Sequence, residues 1–271
     1  MEKLHLNKPR IFSGSGNIFT LIDNKIKNEK TEYFINNIAK LCNIHDIKTD
    51  GLIVVNNSEV ALFSASFFNP DGTTGMMCGN AGRCVIYYYS KTYNINQQDM
   101  LEFIINDKTY FGSYCPFVDK VSIALNLPDK FERKKIAVDN IDYDGIFVDG
   151  DTPHFIIEVN DVNEIDIKKI GKAIRNHEAF SPNGTNVNFY QKINENTIKL
   201  RTFERGVEDE TGACGTGAVA TTVAFCSQYK LFDKLVVIPK SESKLYVEYS
   251  KINKIEKIIL SGNVKEIISK N

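Results

Sequence analysis

The chain has 271 residues, a formal net charge of -1 at pH 7, 42% hydrophobic residues and 25% charged residues. These values fit a globular chain long enough for one large domain or two moderate ones. No single-sign charge block invites nucleic acid or a membrane surface, and no window approaches the ~18 consecutive apolar residues of a membrane span.

In chain order, the N-terminal MEKLHLNKPRIF lacks the apolar stretch of a secretory signal, so a cytoplasmic location is expected. Arg10 to Asp23 predicts a hairpin turning at Ser13-Gly14-Ser15-Gly16, with its second strand over Ile18 to Ile22. Asn28 to Cys42 has helical spacing. Gly51 to Val55 and Val60 to Phe68 predict strands, the second ended by the turn Asn69-Pro70-Asp71-Gly72. A helix is expected from Cys78 through Tyr89, then strands at Leu101–Ile105, Tyr110–Tyr114 and Lys120–Leu125. The polar, Lys-rich stretch Pro128 to Asn140 reads as a linker.

The second half repeats this layout. Strands are expected at Ile146–Val148 and Phe155–Val159 around a Gly-Asp-Thr-Pro turn, with a helix over Val162–Asn176. Further strands are Asn186–Gln191 and Thr197–Glu204, followed by a helix from Cys214 to about Gln228. Leu235–Ile238, Leu245–Tyr249 and Ile255–Leu260 complete the set. The expectation is an internal duplication: an N-terminal lobe over 1–126, including the final strand 261–271, and a C-terminal lobe over 127–260.

The repeat is sharpest where FFNPDGTTGMMCGNAGRCVIYYY meets TFERGVEDETGACGTGAVATTVAF. Each block leaves a strand at Phe (Phe68, Phe203), crosses a loop bearing glycine and acid, and reaches a Cys-Gly pair that opens a helix. The Phe-to-Cys separations are ten and eleven residues. A cysteine at a helix start faces unpaired N–H groups and the positive end of the macrodipole, which favours thiolate. The glycine after it lets the backbone approach a ligand, and the N–H groups of Gly79, Asn80, Gly215 and Thr216 suit a carboxylate. Two such helix starts facing each other would set Cys78 and Cys214 on opposite sides of one carbon. That arrangement fits stereoinversion without an electron-sink cofactor.

Of the six cysteines, Cys42, Cys84, Cys115 and Cys226 read as small buried hydrophobes. In a reducing compartment all six are expected as thiols. None pairs as CxxC and the four histidines are scattered, which argues against a metal site. Neither glycine-rich loop matches a nucleotide-binding signature.

At these residues the chain resembles diaminopimelate epimerases. The resemblance runs through Gly14-Ser15-Gly16-Asn17, Phe68-Asn69-Pro70-Asp71-Gly72, Cys78-Gly79-Asn80-Ala81-Gly82-Arg83-Cys84, Pro153-His154, Asn186-Val187-Asn188-Phe189, Glu204-Arg205-Gly206 and Ala213-Cys214-Gly215-Thr216-Gly217. It implies an α+β fold of two pseudo-symmetric lobes, each a curved, mostly antiparallel sheet wrapped around a central helix, with the site in the cleft between them. It implies interconversion of LL- and meso-2,6-diaminopimelate without pyridoxal phosphate or another cofactor, on the route to lysine and peptidoglycan, by a homodimer whose partner is a small amino-acid substrate.

Carried over residue by residue, Cys78 and Cys214 match the acid/base pair. Asn17, Asn69, Asn186, Glu204 and Arg205 match substrate-binding positions, and the helix-start N–H groups of Gly79, Asn80, Gly215 and Thr216 join them as expected substrate contacts. Arg205 suits a distal carboxylate and Glu204 an ammonium, although a surface ion pair would use the same two residues. Asn17, Asn69 and Asn186 could equally serve turns. His154, with Thr152 beside it, could tune a cysteine or simply support a strand start. Ile18, Gly51 and Thr152 depart from the family pattern, and the loop Val207–Thr211 is one residue longer than its commonest form. A relative acting on another amino acid, such as lanthionine or histidine, and a redox-sensing dithiol protein are the competing readings.

Overall fold

A computed structural model describes residues 8–74, 78–95, 100–128, 130–150, 152–229, 234–252 and 255–267. The chain divides into two units, Met1–Ala124 with Ser261–Asn271, and Leu125–Leu260.

The first unit opens with strands β1 (Arg10–Gly14) and β2 (Asn17–Asp23), antiparallel with Gly14 opposite Asn17. Ser15 and Gly16 both take positive φ, which makes a two-residue turn whose twist matches the strands. The turn is thus tighter than the four residues expected from sequence. The helix expected over Asn28–Cys42 is two short pieces, α1 (Thr31–Asn36) and α2 (Ile38–Leu41). Asn37 breaks it by leaving the helical φ/ψ region while its side-chain amide donates to the Tyr33 carbonyl at 2.8 Å. A small hairpin follows, β3 (Asn43–Ile44) and β4 (Ile47–Lys48).

Strand β5 (Gly51–Asn56) lies parallel to β2, and β6 (Phe63–Phe68) runs antiparallel to β5. The start of β6 is three residues later than expected. Ser58 Oγ accepts from the amides of Val60 and Ala61 and turns that stretch away from the ladder. Helix α3 (Gly79–Thr92) then crosses to β7 (Leu101–Ile105), which is parallel to β6. Strands β8 (Lys108–Cys115) and β9 (Lys120–Asn126) continue as antiparallel neighbours. Helix α3 is buried on nearly every face because β1, β2, β5 and β8 all pack on it. Helices α1 and α2 cover the other side of β2 and β5 through Phe34, Ile38 and Leu41.

The second unit begins with a correction. Most of the expected linker is a strand: Lys130–Val138 forms β10, paired over its full length with β11 (Ile141–Asp149). Most of β10 is solvated and only Ile136 is buried, so its sequence carries the polarity of a linker while its backbone is fully paired. After β12 (His154–Glu158), the helix expected over Val162–Asn176 starts late. A single 3-10 turn covers 162–164, Ile165 is extended, and α4 (Ile167–Arg175) begins only where the Asp166 carboxylate caps the Lys169 amide. Asp151, in the expected Gly-Asp-Thr-Pro turn, lies outside the described residues.

Strand β13 (Asn186–Asn194) is parallel to β12, and β14 (Thr197–Glu204) is antiparallel to β13. The short β15 (Asp209–Thr211) folds back on β14. Helix α5 (Gly215–Tyr229) crosses to β16 (Lys234–Pro239), parallel to β14; β17 (Leu245–Ile252) and β18 (Ile255–Gly262) follow. Helix α5 is packed by β11, β12, β13 and β17. Strand β19 (Val264–Ile267) returns to the first unit, where it pairs with β1 and also touches α3.

The duplication is visible as pairing order. The run β2∥β5, β5–β6 antiparallel, β6∥β7, β7–β8 antiparallel recurs as β12∥β13, β13–β14, β14∥β16, β16–β17. It extends to side chains. The Asp23 carboxylate, ending β2, accepts from Tyr88 and Tyr93 at 2.9 and 2.8 Å, with Lys25 over the Tyr93 ring. The Glu158 carboxylate, ending β12, accepts from Tyr190 and Tyr229 at 2.8 and 2.7 Å, with Lys192 over the Tyr229 ring. Each central helix is tied at its C-terminal end by the same chemistry. No helix among the described residues is long and apolar enough to cross a membrane.

Candidate active site

In the first unit Cys78 is the cap residue of α3. Its backbone is extended, and its carbonyl accepts the Gly82 amide at 2.8 Å, the first bond of the helix. Asn80, in the first turn, donates to the Asn17 side chain at 2.7 Å. Asn17 in turn faces Asp50, whose carboxylate also accepts the Ile18 amide at 2.8 Å. Ile18 thus contributes a backbone donor here. Gly14 lets β1 lie against this turn: a Cβ there would stand 2.7 Å from the Asn80 carbonyl oxygen. A Cβ at Gly51 would come within 2.8 Å of the Phe68 carbonyl oxygen, so the departure at Gly51 suits a close approach of β5 and β6. The hydrogen bonds of Asn69 are local, to Thr73. Residues 75–77, which lead into Cys78, lie outside the described residues.

In the second unit Cys214 is buried and immediately precedes α5. Its carbonyl accepts the Ala218 amide at 2.9 Å, and its sulfur accepts the Gly217 amide at 3.3 Å. The Thr216 hydroxyl lies 3.5 Å from the same sulfur. Behind Thr216 stands His154, 1% exposed. Its Nε2 is 3.1 Å from the Thr216 hydroxyl and 2.9 Å from that of Thr152, and its Nδ1 is 3.0 Å from the Asn188 amide nitrogen. Thr202 donates to the Asn188 oxygen at 3.0 Å, which turns the Asn188 amide group toward the ring. Nδ1 is then an acceptor, and the ring proton sits on Nε2 facing the two threonine hydroxyls.

Asn186 is a brace: its amide donates to the Pro153 carbonyl at 3.0 Å and its oxygen accepts the Arg205 amide at 2.8 Å. Arg205 donates to the Asn183 carbonyl at 3.1 Å, and Glu204 ends β14 half-buried. The acids of the loop before Cys214 turn away to ion pairs. Glu208 meets Arg175, Asp209 meets Lys168, and Glu210, whose side chain is 3% exposed, takes Arg201 at 2.6 Å and Lys240 at 2.8 Å. The structure brings Asn17 and Asn80 together beside Cys78 and Gly79 in one unit, and Thr152, His154 and Thr216 beside Cys214 and Gly215 in the other. The sequence alone did not foresee all of the supporting residues. It assigned no role to Asp50, Ser15, Arg83, Asn188 or Thr202. Asn188 was the legible one among these, as a polar residue between Val187 and Phe189 in an apolar strand.

Burial holds the His154 imidazolium down, to about 3, and the Arg205 charge adds to this against the Asn188 contact. The folded protein therefore keeps the ring neutral where an unfolded chain, near 6.5, would protonate it. The unfolded state binds the extra proton, so stability falls as pH drops from 6.5 toward 3, by about 1.4 kcal/mol per unit. Urea titrations across that window should show this slope reduced in His154→Asn. An unchanged slope would mean that the ring is not neutral in the fold.

The comparisons with known proteins agree on a family. A family model described as diaminopimelate epimerase matches residues 146–265. The diaminopimelate epimerase of Aquifex aeolicus is 36% identical over 94% of this chain and 93% of its own length. That of Flavobacterium psychrophilum is 32% identical over 93% and 94%. Among solved structures, a PhzF-family phenazine biosynthesis protein from Bacillus anthracis aligns with a TM-score of 0.72 at 13% identity, covering 96% of each chain. A hydroxyproline epimerase from Agrobacterium vitis aligns with a TM-score of 0.66 at 11% identity, covering 96% of this chain and 90% of its own. These last two speak for the fold alone.

Proposed function

We propose, for a chain that belongs to the diaminopimelate epimerase family and is therefore an isomerase, that it interconverts LL- and meso-2,6-diaminopimelate with Cys78 and Cys214 as acid and base. One thiolate takes the α-proton from one face of the carbon, and the other thiol delivers a proton to the opposite face. One proton leaves and one arrives, and the two sulfurs exchange roles for the reverse direction. The observation that carries the reading is positional: each cysteine immediately precedes the buried central helix of its unit, at equivalent points of a duplicated pairing order.

The chemistry supports it. A helix start offers free amides to a substrate carboxylate, and those amides hold charge better as the carboxylate takes on enolate character. The Gly217 amide and the Thr216 hydroxyl are placed to stabilise sulfur anion at Cys214. Arg205 and Glu204 suit the distal carboxylate and ammonium, with Asn17, Asn69 and Asn186 completing substrate recognition. The mechanism asks for no cofactor. Family membership further supports a homodimer working in the cytoplasm on the route to lysine and peptidoglycan.

The test is incubation with LL-diaminopimelate in deuterated water. Deuterium should appear at one α-carbon while the meso isomer accumulates. No uptake would overturn the proposal, and uptake with another amino acid alone would move the substrate assignment.

A further inference from the structure

Arg83 occupies the second turn of α3, and its side chain is 0% exposed. Long helical side chains lean toward the helix N-terminus. The guanidinium does so here: it donates to the Gly79 carbonyl at 3.2 Å, to the Asn80 side-chain oxygen at 2.7 Å and to Ser15 Oγ at 2.8 Å. All three acceptors are uncharged, and its Nε has no hydrogen-bond partner. A fully buried cation bonded only to neutral acceptors and carrying an orphaned donor is an expensive arrangement. It calls for an anion nearby.

We propose that Arg83 is a positioning residue whose buried charge, behind the first turn of α3, draws the Cys78 thiol toward thiolate while its fork aligns Asn80. The inference rests on the proposed role of Cys78 as an acid/base thiol. Burial lowers the guanidinium only to about 10, so it remains charged at neutral pH, and the neighbouring Cys84 and then Cys78 act against that lowering. Cys84 is fully buried and pushed far up, so it stays a neutral thiol. That leaves Cys78, half-buried at the cap, to carry the anion.

Other charged and titratable groups face α3 from the elements packed on it. Arg10 pairs with Glu266 of β19 and reaches Thr92, and Asp23 of β2 binds Tyr88 and Tyr93, both at the C-terminal end. On β8, Tyr114 stacks edge-on with Tyr87 beside Lys91. Lys265 of β19 sits opposite Ser13, and Asp50, ahead of β5, reaches Asn80 only through Asn17.

The test reads proton affinity without turnover, so its failure and failure of the epimerase reading are separate results. Iodoacetamide labelling of Cys78 is followed by peptide mass spectrometry across pH in the wild type, Arg83→Met and Arg83→Gln. The wild-type midpoint should lie below the ordinary thiol value, and both variants should raise it by about one unit, roughly a tenfold loss of labelling at neutral pH. A structural role alone would change the limiting rate and leave the midpoint in place. A variant that folds cooperatively with an unshifted midpoint overturns the proposal. So does a wild-type midpoint at or above the ordinary value, which needs no variant to fold.

Discussion

Cys78→Ala and Cys214→Ala should each lower epimerisation by about a thousandfold or more, the range that a positioned proton-transfer group supplies. The two losses should differ in kind when followed in deuterated water. With one thiol removed, the remaining one can still exchange the proton on its own face and return deuterium to that face. Each variant should therefore label one stereoisomer without inverting it, and the two variants should label opposite isomers. Cys42→Ala, Cys115→Ala and Cys226→Ala should leave turnover largely intact. Substantial inversion in either Cys78→Ala or Cys214→Ala would show that a single base suffices and would refute the pair.

Phe203→Ala should cost the second unit about 3–5 kcal/mol, read from urea unfolding. Phe203 is 1% exposed and shares a cluster with Phe155, Ile174, Val187 and Phe189. Helix α4 lies directly on it: a Cβ at Gly171 would stand 2.5 Å from the Phe203 Cβ. With helix and strand so close, little can move in to fill the void. Such a loss is a large share of the ~5–15 kcal/mol that holds a typical domain. Phe203 also sits one residue before Glu204 and two before Arg205, so the same substitution should weaken the proposed substrate recognition. A loss under about 1 kcal/mol would mean that the cluster is not the core of this unit.

What the sequence disclosed follows from how local each signal is. The helix starts at Cys78 and Cys214 were readable because a Cys-Gly pair opening a helix is a near-neighbour pattern that occurs twice. The same holds for the strands with buried runs, such as Gly51–Val55. The linker reading failed because a strand can be solvated and still fully paired. Lys130 to Lys135 looks like a tether until Asp149 to Asp144 is found opposite it. The helices were overlong because Asn37 and Asp166 act through single side-chain bonds that no periodicity registers. The neutral state of His154 depends on α5 and β13 closing over β12. Glu208, Asp209 and Glu210 read only as acids of a loop ahead of Cys214, because their partners come from distant α4, β14 and the end of β16. Arg83 lay in plain view in the most specific motif; only its burial among neutral acceptors gives it a role.

Strand β19 sets a timetable for synthesis. Ile11 to Gly14 pair with Ile267 to Val264, and Arg10 is clasped by both carboxylate oxygens of Glu266. The second unit is contiguous in sequence, from Leu125 to Leu260. The first unit, although its other strands are translated first, lacks its closing strand until residues 264–267 emerge. The N-terminal unit therefore cannot mature well ahead of its successor, as an N-terminal domain usually does. During translation β1 must wait with one edge unpaired, the state in which a nascent chain is most open to a chaperone or to a neighbouring copy of itself.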